Sequence, residues 1–249
     1  MYRLKYIALI LIPLIIFVIA ASDGSDEIGK VTFPLGAVKI NHGVSDEWSV
    51  AKLNSKVFSK DRIKTGAESR CEVTLIDGSI MRIGEKSDMS FENIKIKDKR
   101  LSGSAKLTVG AVWSNLQKLQ KSDKAVSIKT PTSVMAVRGT IFRTDAKDDS
   151  STSVLVYQGA LDVKLNQEME EKVKSQEVRK PGPPQRTSGP KQIPGPYEVT
   201  LQEWQRIVAG MQINVRKDGK YHSFEFDPAK DAASDWVKWN KERDSAVGK

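Results

Sequence analysis

The sequence is poor in the residues from which catalytic and metal sites are usually built. Cys71 is the only cysteine among 249 residues, and His42 and His222 are the only histidines. One cysteine cannot form an intramolecular disulfide, and Cys71 alternates with Val73 and Leu75, which predicts a buried thiol. The chain also lacks the Gly-x-Ser-x-Gly turn of hydrolases, a phosphate-binding loop and a dinucleotide fingerprint. These absences indicate a non-enzymatic protein with no cofactor and no metal site.

Charge of one sign is not concentrated along the chain. The net charge is +9 and the isoelectric point is about 9.4, which suits anionic lipid or an acidic wall polymer. Lys and Arg nevertheless alternate with Asp and Glu almost everywhere, as on an ordinary solvated surface. No RNA-binding motif, zinc spacing or helix-turn-helix pattern is found, so nucleic acid is not expected as a partner.

The first 22 residues predict export. Arg3 and Lys5 precede an uncharged apolar run over residues 6–21, and small residues follow at Ala20, Ala21 and Ser22. This pattern is typical of a signal peptide that is cleaved after Ser22, and it also fits an uncleaved anchor in the inner membrane. Both alternatives place the remaining chain in the periplasm or outside the cell.

Residues 30–165 predict an all-β domain. Short apolar runs alternate with polar residues, and Asp77-Gly78 marks a hairpin. Apolar-x-Gly-Ala-apolar units recur at Gly36, Gly110 and Gly159 and indicate repeated corners between strands. We expect stacked short strands in a β-roll, a solenoid-like fold or a sandwich. The only helix that we expect in this region covers residues 112–120.

The remaining boundaries follow from composition. Residues 23–29 form a short linker, and residues 166–196 form a charged linker rich in proline and glycine, whose first part (167–180) has some helical character. Residues 197–227 predict a small β extension of the first sheet system, with a turn at Asp218-Gly219. Residues 228–249 predict a helix that starts at Pro228, followed by a short tail.

A motif in residues 126–164 resembles a known family. It reads Thr-Pro-Thr-x-x-x-x-Val-Arg-Gly-Thr-x-Phe and is followed, after a polar loop, by a Gly-centred pair of strands. This pattern, together with the preceding strands from Gly66 to Gly84, resembles the FecR domain of bacterial extracytoplasmic proteins. The resemblance covers residues 30–165 and implies an all-β envelope module, which in some members relays a signal across the membrane. Its motif residues here are Thr130, Pro131, Val137, Arg138, Gly139, Thr140, Phe142 and Gly159.

Two features are candidates for contacts with a partner. Arg138 either offers a guanidinium fork to a carboxylate or phosphate, or it is internal and hydrogen-bonds loop carbonyls and an Asp; the pattern favours the internal role. Trp236 and Trp239 either form an exposed platform for a sugar ring or a partner helix, or they dock the terminal helix onto its own domain, which is the more common arrangement.

These observations predict an exported, non-enzymatic envelope protein that binds another envelope protein or acts as a scaffold. Because only residues 1–5 precede the apolar run, direct control of a cytoplasmic sigma factor is not expected. The alternative function is a module that binds a cell-wall glycan, peptidoglycan above all, through its basic surface and its C-terminal tryptophans.

Overall fold

The computed structural model describes residues 26–43, 46–97, 100–117, 126–178, 199–200 and 203–247. The predicted export segment (1–22) and the proline-rich part of the predicted linker lie outside these residues. In the part of the chain that is described, no helix is long and apolar enough to cross a membrane.

Short β-strands make up most of the described chain, which confirms the predicted all-β class. The strands are β1 (Glu27–Leu35), β2 (Val38–Asn41), β3 (Ser49–Val50), β4 (Lys56–Phe58), β5 (Arg62–Thr65), β6 (Arg70–Leu75), β7 (Ile80–Ile83), β8 (Asp88–Lys97), β9 (Arg100–Asn115), β10 (Val126–Lys129), β11 (Ser133–Val137), β12 (Ile141–Ala146), β13 (Thr152–Gln158), β14 (Ala160–Leu165), β15 (Val199–Thr200), β16 (Gln205–Val208), β17 (Met211–Val215) and β18 (Lys220–Glu225). The helices are α1 (Gln167–Val178), α2 (Pro228–Ala232) and α3 (Asp235–Val247).

The strands form two sheets that share one long strand. The front sheet has the order β4-β1-β6-β7-β9-β12-β13-β17-β18-β15. The back sheet has the order β3-β2-β5-β8-β9-β10-β11-β14-β16, in which β9 and β10 are parallel. β9 belongs to both because its first half pairs with β8 and β10 and its second half with β7 and β12. The fold is therefore a roll of two sheets.

Glycines mark the corners at which the chain passes from one sheet to the other. Gly110 has a φ of 100°, and a Cβ atom at this position would collide with Ser87. Gly159 has a φ of 83°, and a Cβ atom would lie 2.8 Å from the carbonyl oxygen of Gly139. Only glycine fits both requirements without strain, so the predicted corners at Gly110 and Gly159 are confirmed. The corner glycines are Gly36, Gly66, Gly84, Gly110, Gly139, Gly159 and Gly210.

The two sheets enclose a single hydrophobic core. Burial alternates residue by residue along β11, β12 and β14, as expected for strands with one face inside. Buried residues from both sheets, among them Phe91, Phe142 and Ile213, belong to the same apolar cluster. Cys71 is buried there as predicted, and burial, with a contribution from Glu72, raises the pKa of its thiol to about 12.

The C-terminal part of the chain packs on the β-roll. β16 pairs with β14, and β17 pairs with β13, so the strands of the predicted extension continue both sheets. α2 begins at Pro228 after the N-cap Asp227, whose side chain accepts hydrogen bonds from Ala229 and Lys230. α3 follows after a break at residues 233–234 and lies on the outer face of the front sheet.

The helix predicted for residues 112–120 is not formed at the residues of this range that the structure describes. Residues 112–115, expected to begin a helix, are the end of β9, where Val112 pairs with Ile83 on one side and Thr144 on the other. Residues 118–120 of that expected helix lie outside the described part of the chain. Two flanking strands fix the extended conformation here and override the local helical pattern.

Candidate functional site

The Thr-Pro-Thr motif forms a tight turn between β10 and β11. The hydroxyl of Thr130 accepts a hydrogen bond from the N–H of Ser133 at 3.0 Å. The side-chain amide of Asn166 donates to the carbonyls of Thr130 and Pro131 at 2.9 and 2.7 Å. Asn166 also caps α1, because its side-chain oxygen accepts from the N–H of Met169. The turn is thus tied to the start of α1. The hydroxyl of Thr130 has a structural role, because it stabilises the turn.

The Val-Arg-Gly-Thr motif forms the corner between β11 and β12. Val137 and Phe142 point into the core, and the Thr140 hydroxyl donates to the carbonyl of Ala160 at 2.7 Å. Gly139 has a φ of 63°, in the left-handed region. These residues fix the corner against the neighbouring corner at Gly159.

Arg138 departs from the prediction that it is an internal residue. Its side chain is exposed at the corner, and it forms no hydrogen bond or ion pair with any residue that the structure describes. The prediction is wrong because Arg138 occupies the turn, so the burial of its neighbour Val137 does not extend to it. Its guanidinium is therefore free to contact a partner.

A polar pocket of about 490 Å³ lies beside the Thr-Pro-Thr turn on the back sheet. Lys106 and Lys129 are paired across β9 and β10, and Lys164 lies two strands further on, since Val134 pairs with both Lys129 and Lys164. Lys129 forms an ion pair with Glu92 at 3.1 Å. The pocket is thus lined by three lysines from the strands and also by acidic side chains. It is lined by Glu92, Lys106, Lys129, Thr130, Pro131, Val134, Lys164, Asn166, Gln167, Glu168 and Glu171.

A buried network of charges holds α3 on the front sheet. Arg82 is fully buried and donates to Glu72 at 2.6 Å and to Asp244 at 2.7 Å. Arg243 donates to both oxygens of Glu72, at 2.8 and 2.9 Å. Burial alone would raise the pKa of Glu72, but hydrogen bonds from Arg243, Arg82 and Thr32 outweigh it and lower the pKa to about 2. The Glu72 carboxylate therefore stays ionised at neutral pH.

Trp236 and Trp239 lie within this interface. Their rings stack with centroids 5.5 Å apart, and the guanidinium carbon of Arg70 lies 5.6 and 5.1 Å from the two centroids. Trp239 also contacts Phe33, with centroids 5.6 Å apart. Both tryptophans are half-buried in contacts with their own domain. Trp236 lines a pocket of about 590 Å³ at the start of α3, together with Leu35 and Arg70.

Asp231 in α2 makes a second set of contacts with the front sheet. Its carboxylate accepts hydrogen bonds from Arg143 at 2.8 Å and from the hydroxyl of Tyr157 at 2.9 Å. Tyr157 stacks on Trp113 with centroids 4.3 Å apart. No local sequence pattern relates residues so far apart along the chain, so the network around Asp231 and Arg82 was not predicted.

Each histidine contacts side chains close to it in the fold. His42 contacts Asp61 at 3.0 Å, and His222 stacks on Phe224. Burial raises the pKa of Asp61, although the Phe58 N–H and His42 both act against this shift. Among the described residues, no group of three or more His, Cys, Asp or Glu side chains could hold a metal ion.

Part of the chain matches a known family model. Residues 61–162, from the residue before β5 into β14, match the family model described as FecR protein. The chain contains a FecR domain. Both motifs of the predicted resemblance, the Asp77-Gly78 hairpin and the segment from Thr130 to Phe142, lie inside the matched residues. No curated protein matches the chain.

Similar solved structures are more distant. Two crystal structures of a candidate anti-sigma factor from Parabacteroides distasonis ATCC 8503 align with 69% of this chain, at 16% and 15% identity and TM-scores of 0.48 and 0.46. The alignments span 62% and 63% of those proteins' length. A cell surface anchoring domain aligns with 27% of this chain and 88% of its own length, at 24% identity and a TM-score of 0.26.

Proposed function

We propose that the protein is an exported, non-enzymatic envelope protein whose FecR domain binds a macromolecular partner, to relay a signal or to serve as a scaffold. The FecR match supports an envelope role. The observation that carries the binding role is the exposure of Arg138 within a motif whose neighbours are buried. Residues 1–22 act as a signal peptide or as a membrane anchor.

The motif residues have separate tasks in this proposal. Thr130 and Thr140 fix the turn and the corner by hydrogen bonds, while Pro131 lines the adjacent pocket. Val137, Gly139, Phe142 and Gly159 hold the backbone of the corner in place. A guanidinium on such a rigid corner presents a planar fork to a carboxylate of the partner. Trp236 and Trp239 stabilise the C-terminal helix instead of binding the partner.

The test is a crosslinking pull-down from intact cells with a tag after Lys249, followed by mass spectrometry. Wild type and Arg138→Ala are compared with Lys52→Ala, which removes an exposed cation from the loop between β3 and β4. We expect one dominant partner whose recovery falls in Arg138→Ala and is unchanged in Lys52→Ala. The free energy of unfolding should change by less than about 0.5 kcal/mol in both variants, because both sites are exposed. Equal recovery from all three proteins would refute a partner contact at Arg138.

A cell-wall glycan is the second candidate, and the 490 Å³ pocket on the back sheet favours it. Its Lys106, Lys129 and Lys164 ammonium groups can donate to the carboxylates of peptidoglycan, and the exposed ring of Trp204 lies 5.1 Å from Lys164. Sedimentation with purified peptidoglycan at moderate salt tests this function. Binding that is weakened by Lys106→Ala would support it, and the absence of sedimentation would exclude it.

A further inference from the structure

Strand β16 forms an edge of the back sheet. It pairs with β14 on one side, and no described strand pairs with its other side. Trp204, directly before the strand, and Val208, at its end, are each 47% exposed, whereas Ile207 between them is buried. Proteins usually protect such edges with charge, proline or a covering segment, because an unpaired edge recruits other strands.

Three cross-strand rows form the outer surface at this edge. The first contains Val134, Lys164 and Trp204, and the second contains Ala136, Asp162 and Arg206. The third contains Ala160 and Val208, with Arg138 beside them, because Val137 pairs with Leu161. We call these nine residues the edge patch. It joins the exposed Arg138 of the FecR motif to the apolar side chains of the edge strand.

The charge of the edge patch is positive. Asp162 is its only acidic residue, and both of its oxygens accept hydrogen bonds from Arg206, at 3.0 and 3.2 Å. Arg138 and Lys164 form no ion pair with any residue in the described ranges.

We propose that the β16 edge binds an extended, acidic segment of a partner protein as an additional strand of the back sheet. This inference rests on the proposed function and specifies how the partner binds. Main-chain hydrogen bonds along an edge provide affinity for any extended chain, and side chains at alternate positions provide specificity. Apolar contact with Trp204 and Val208 adds desolvated area of the kind that dominates interface energies.

The geometry determines which side chains the partner segment needs. Strands rise about 3.3 Å per residue, so the Trp204 and Val208 rows are about 13 Å apart, and positions i, i+2 and i+4 of the incoming strand face the rows of the edge patch. Carboxylates at these positions come closest to Arg206 and Lys164, and Arg138 lies one strand further away. Lys164 therefore contributes more to binding than Arg138 does.

The experiment measures fluorescence anisotropy of a labelled acetyl-(Glu-Val)₄-amide peptide with the whole chain. Two control peptides accompany it: (Lys-Val)₄, and (Glu-Val)₄ with N-methyl groups on alternate residues, which removes the donors along one edge. Trp204→Ala combined with Val208→Ser removes the apolar contacts, and Lys164→Glu reverses a charge. Val50→Ser is the matched control, because Val50 is 65% exposed on β3 at the opposite edge of the same sheet.

We expect the acidic peptide to bind wild type and Val50→Ser equally. Affinity should fall at least tenfold in the double variant, about fivefold in Lys164→Glu and less in Arg138→Glu, and the N-methylated and basic peptides should not bind. Circular dichroism and melting establish that each variant is folded. Equal binding of the N-methylated peptide, or unchanged binding by a folded double variant, would refute strand addition.

Two further outcomes separate this inference from the proposed function. If the double variant still recovers the wild-type partner in the pull-down, partner binding stands and the edge proposal fails. If wild type self-associates and the double variant does not, a second copy occupies the edge, and the proposal of an acidic partner segment is overturned.

Discussion

Replacing Asp244 by Asn tests whether buried charge holds α3 on the front sheet. The Asp244 carboxylate accepts hydrogen bonds from Arg82 at 2.7 Å, from the indole N–H of Trp113 at 2.8 Å and from Asn115 at 3.1 Å. Arg82 is fully buried. The substitution removes the negative charge next to Arg82 and turns an NH₂ group toward donors, while the size of the side chain is unchanged.

The expected loss of stability follows from the burial of Arg82. Removing one partner of a buried ion pair costs roughly 3–5 kcal/mol, because the other charge is left without compensation. Arg82 keeps its bond to Glu72, so we expect the lower end, about 3 kcal/mol of unfolding free energy. Urea unfolding followed by circular dichroism measures it, with near-ultraviolet signals reporting on Trp113 and Trp239.

Asp235→Asn is the matched control in the same helix. Asp235 pairs with Arg70, but its side chain is 83% exposed, and exposed pairs contribute about 0–1 kcal/mol. A loss in Asp244→Asn that is no larger than the loss in Asp235→Asn would refute the reasoning. It would show that the buried network contributes no more to the docking of α3 than a surface contact.

Three more predictions follow from the fold. The pKa of Glu72 is lowered to about 2 in the folded state, from an ordinary value of 4.5. Its ionised carboxylate therefore stabilises the fold above pH 4.5, and up to about 3 kcal/mol of unfolding free energy should be lost as the pH falls from 4.5 toward 2. Urea titrations at several pH values should show a smaller loss in Glu72→Gln. Cys71, buried with a pKa of about 12, should react with Ellman's reagent only after unfolding, and rapid native labelling would contradict its burial. Gly159→Ala should destabilise the protein by about 2 kcal/mol or more, because its φ of 83° and the nearby Gly139 carbonyl exclude a Cβ atom; an unchanged melting temperature would contradict this.

Local features of the sequence predicted much of the fold. The hairpins at Asp77-Gly78 and Asp218-Gly219 are present between β6 and β7 and between β17 and β18, because the residues that favour a turn act within a few positions of it. The corners at Gly110 and Gly159 could also be predicted, because the need for glycine arises at one position of the chain. The arrangement of strands into two sheets joined by β9 could not be predicted, since it depends on pairing between distant segments.

The contacts of the C-terminal helix with the front sheet could not be predicted from the sequence. Arg243 and Glu72 are 171 residues apart, and neither stands out in composition or spacing. The wrong prediction for Arg138 has a related cause. An arginine between Val137 and Gly139 is expected to be buried only if the segment is one continuous strand. The structure breaks the strand there, so Arg138 becomes exposed while Val137 stays in the core.

The two sheets differ in what their outer surfaces can bind. On the front sheet, α2 and α3 already provide charged partners for Glu72, Arg82 and Arg143, so a partner there would first have to displace a buried ion network. At the β16 edge of the back sheet, the described chain provides no strand and no carboxylate for Arg138 and Lys164. A partner gains hydrogen bonds and ion pairs at this edge without breaking existing ones. This difference in energetic cost favours the edge patch over the front sheet as the binding surface for the proposed partner.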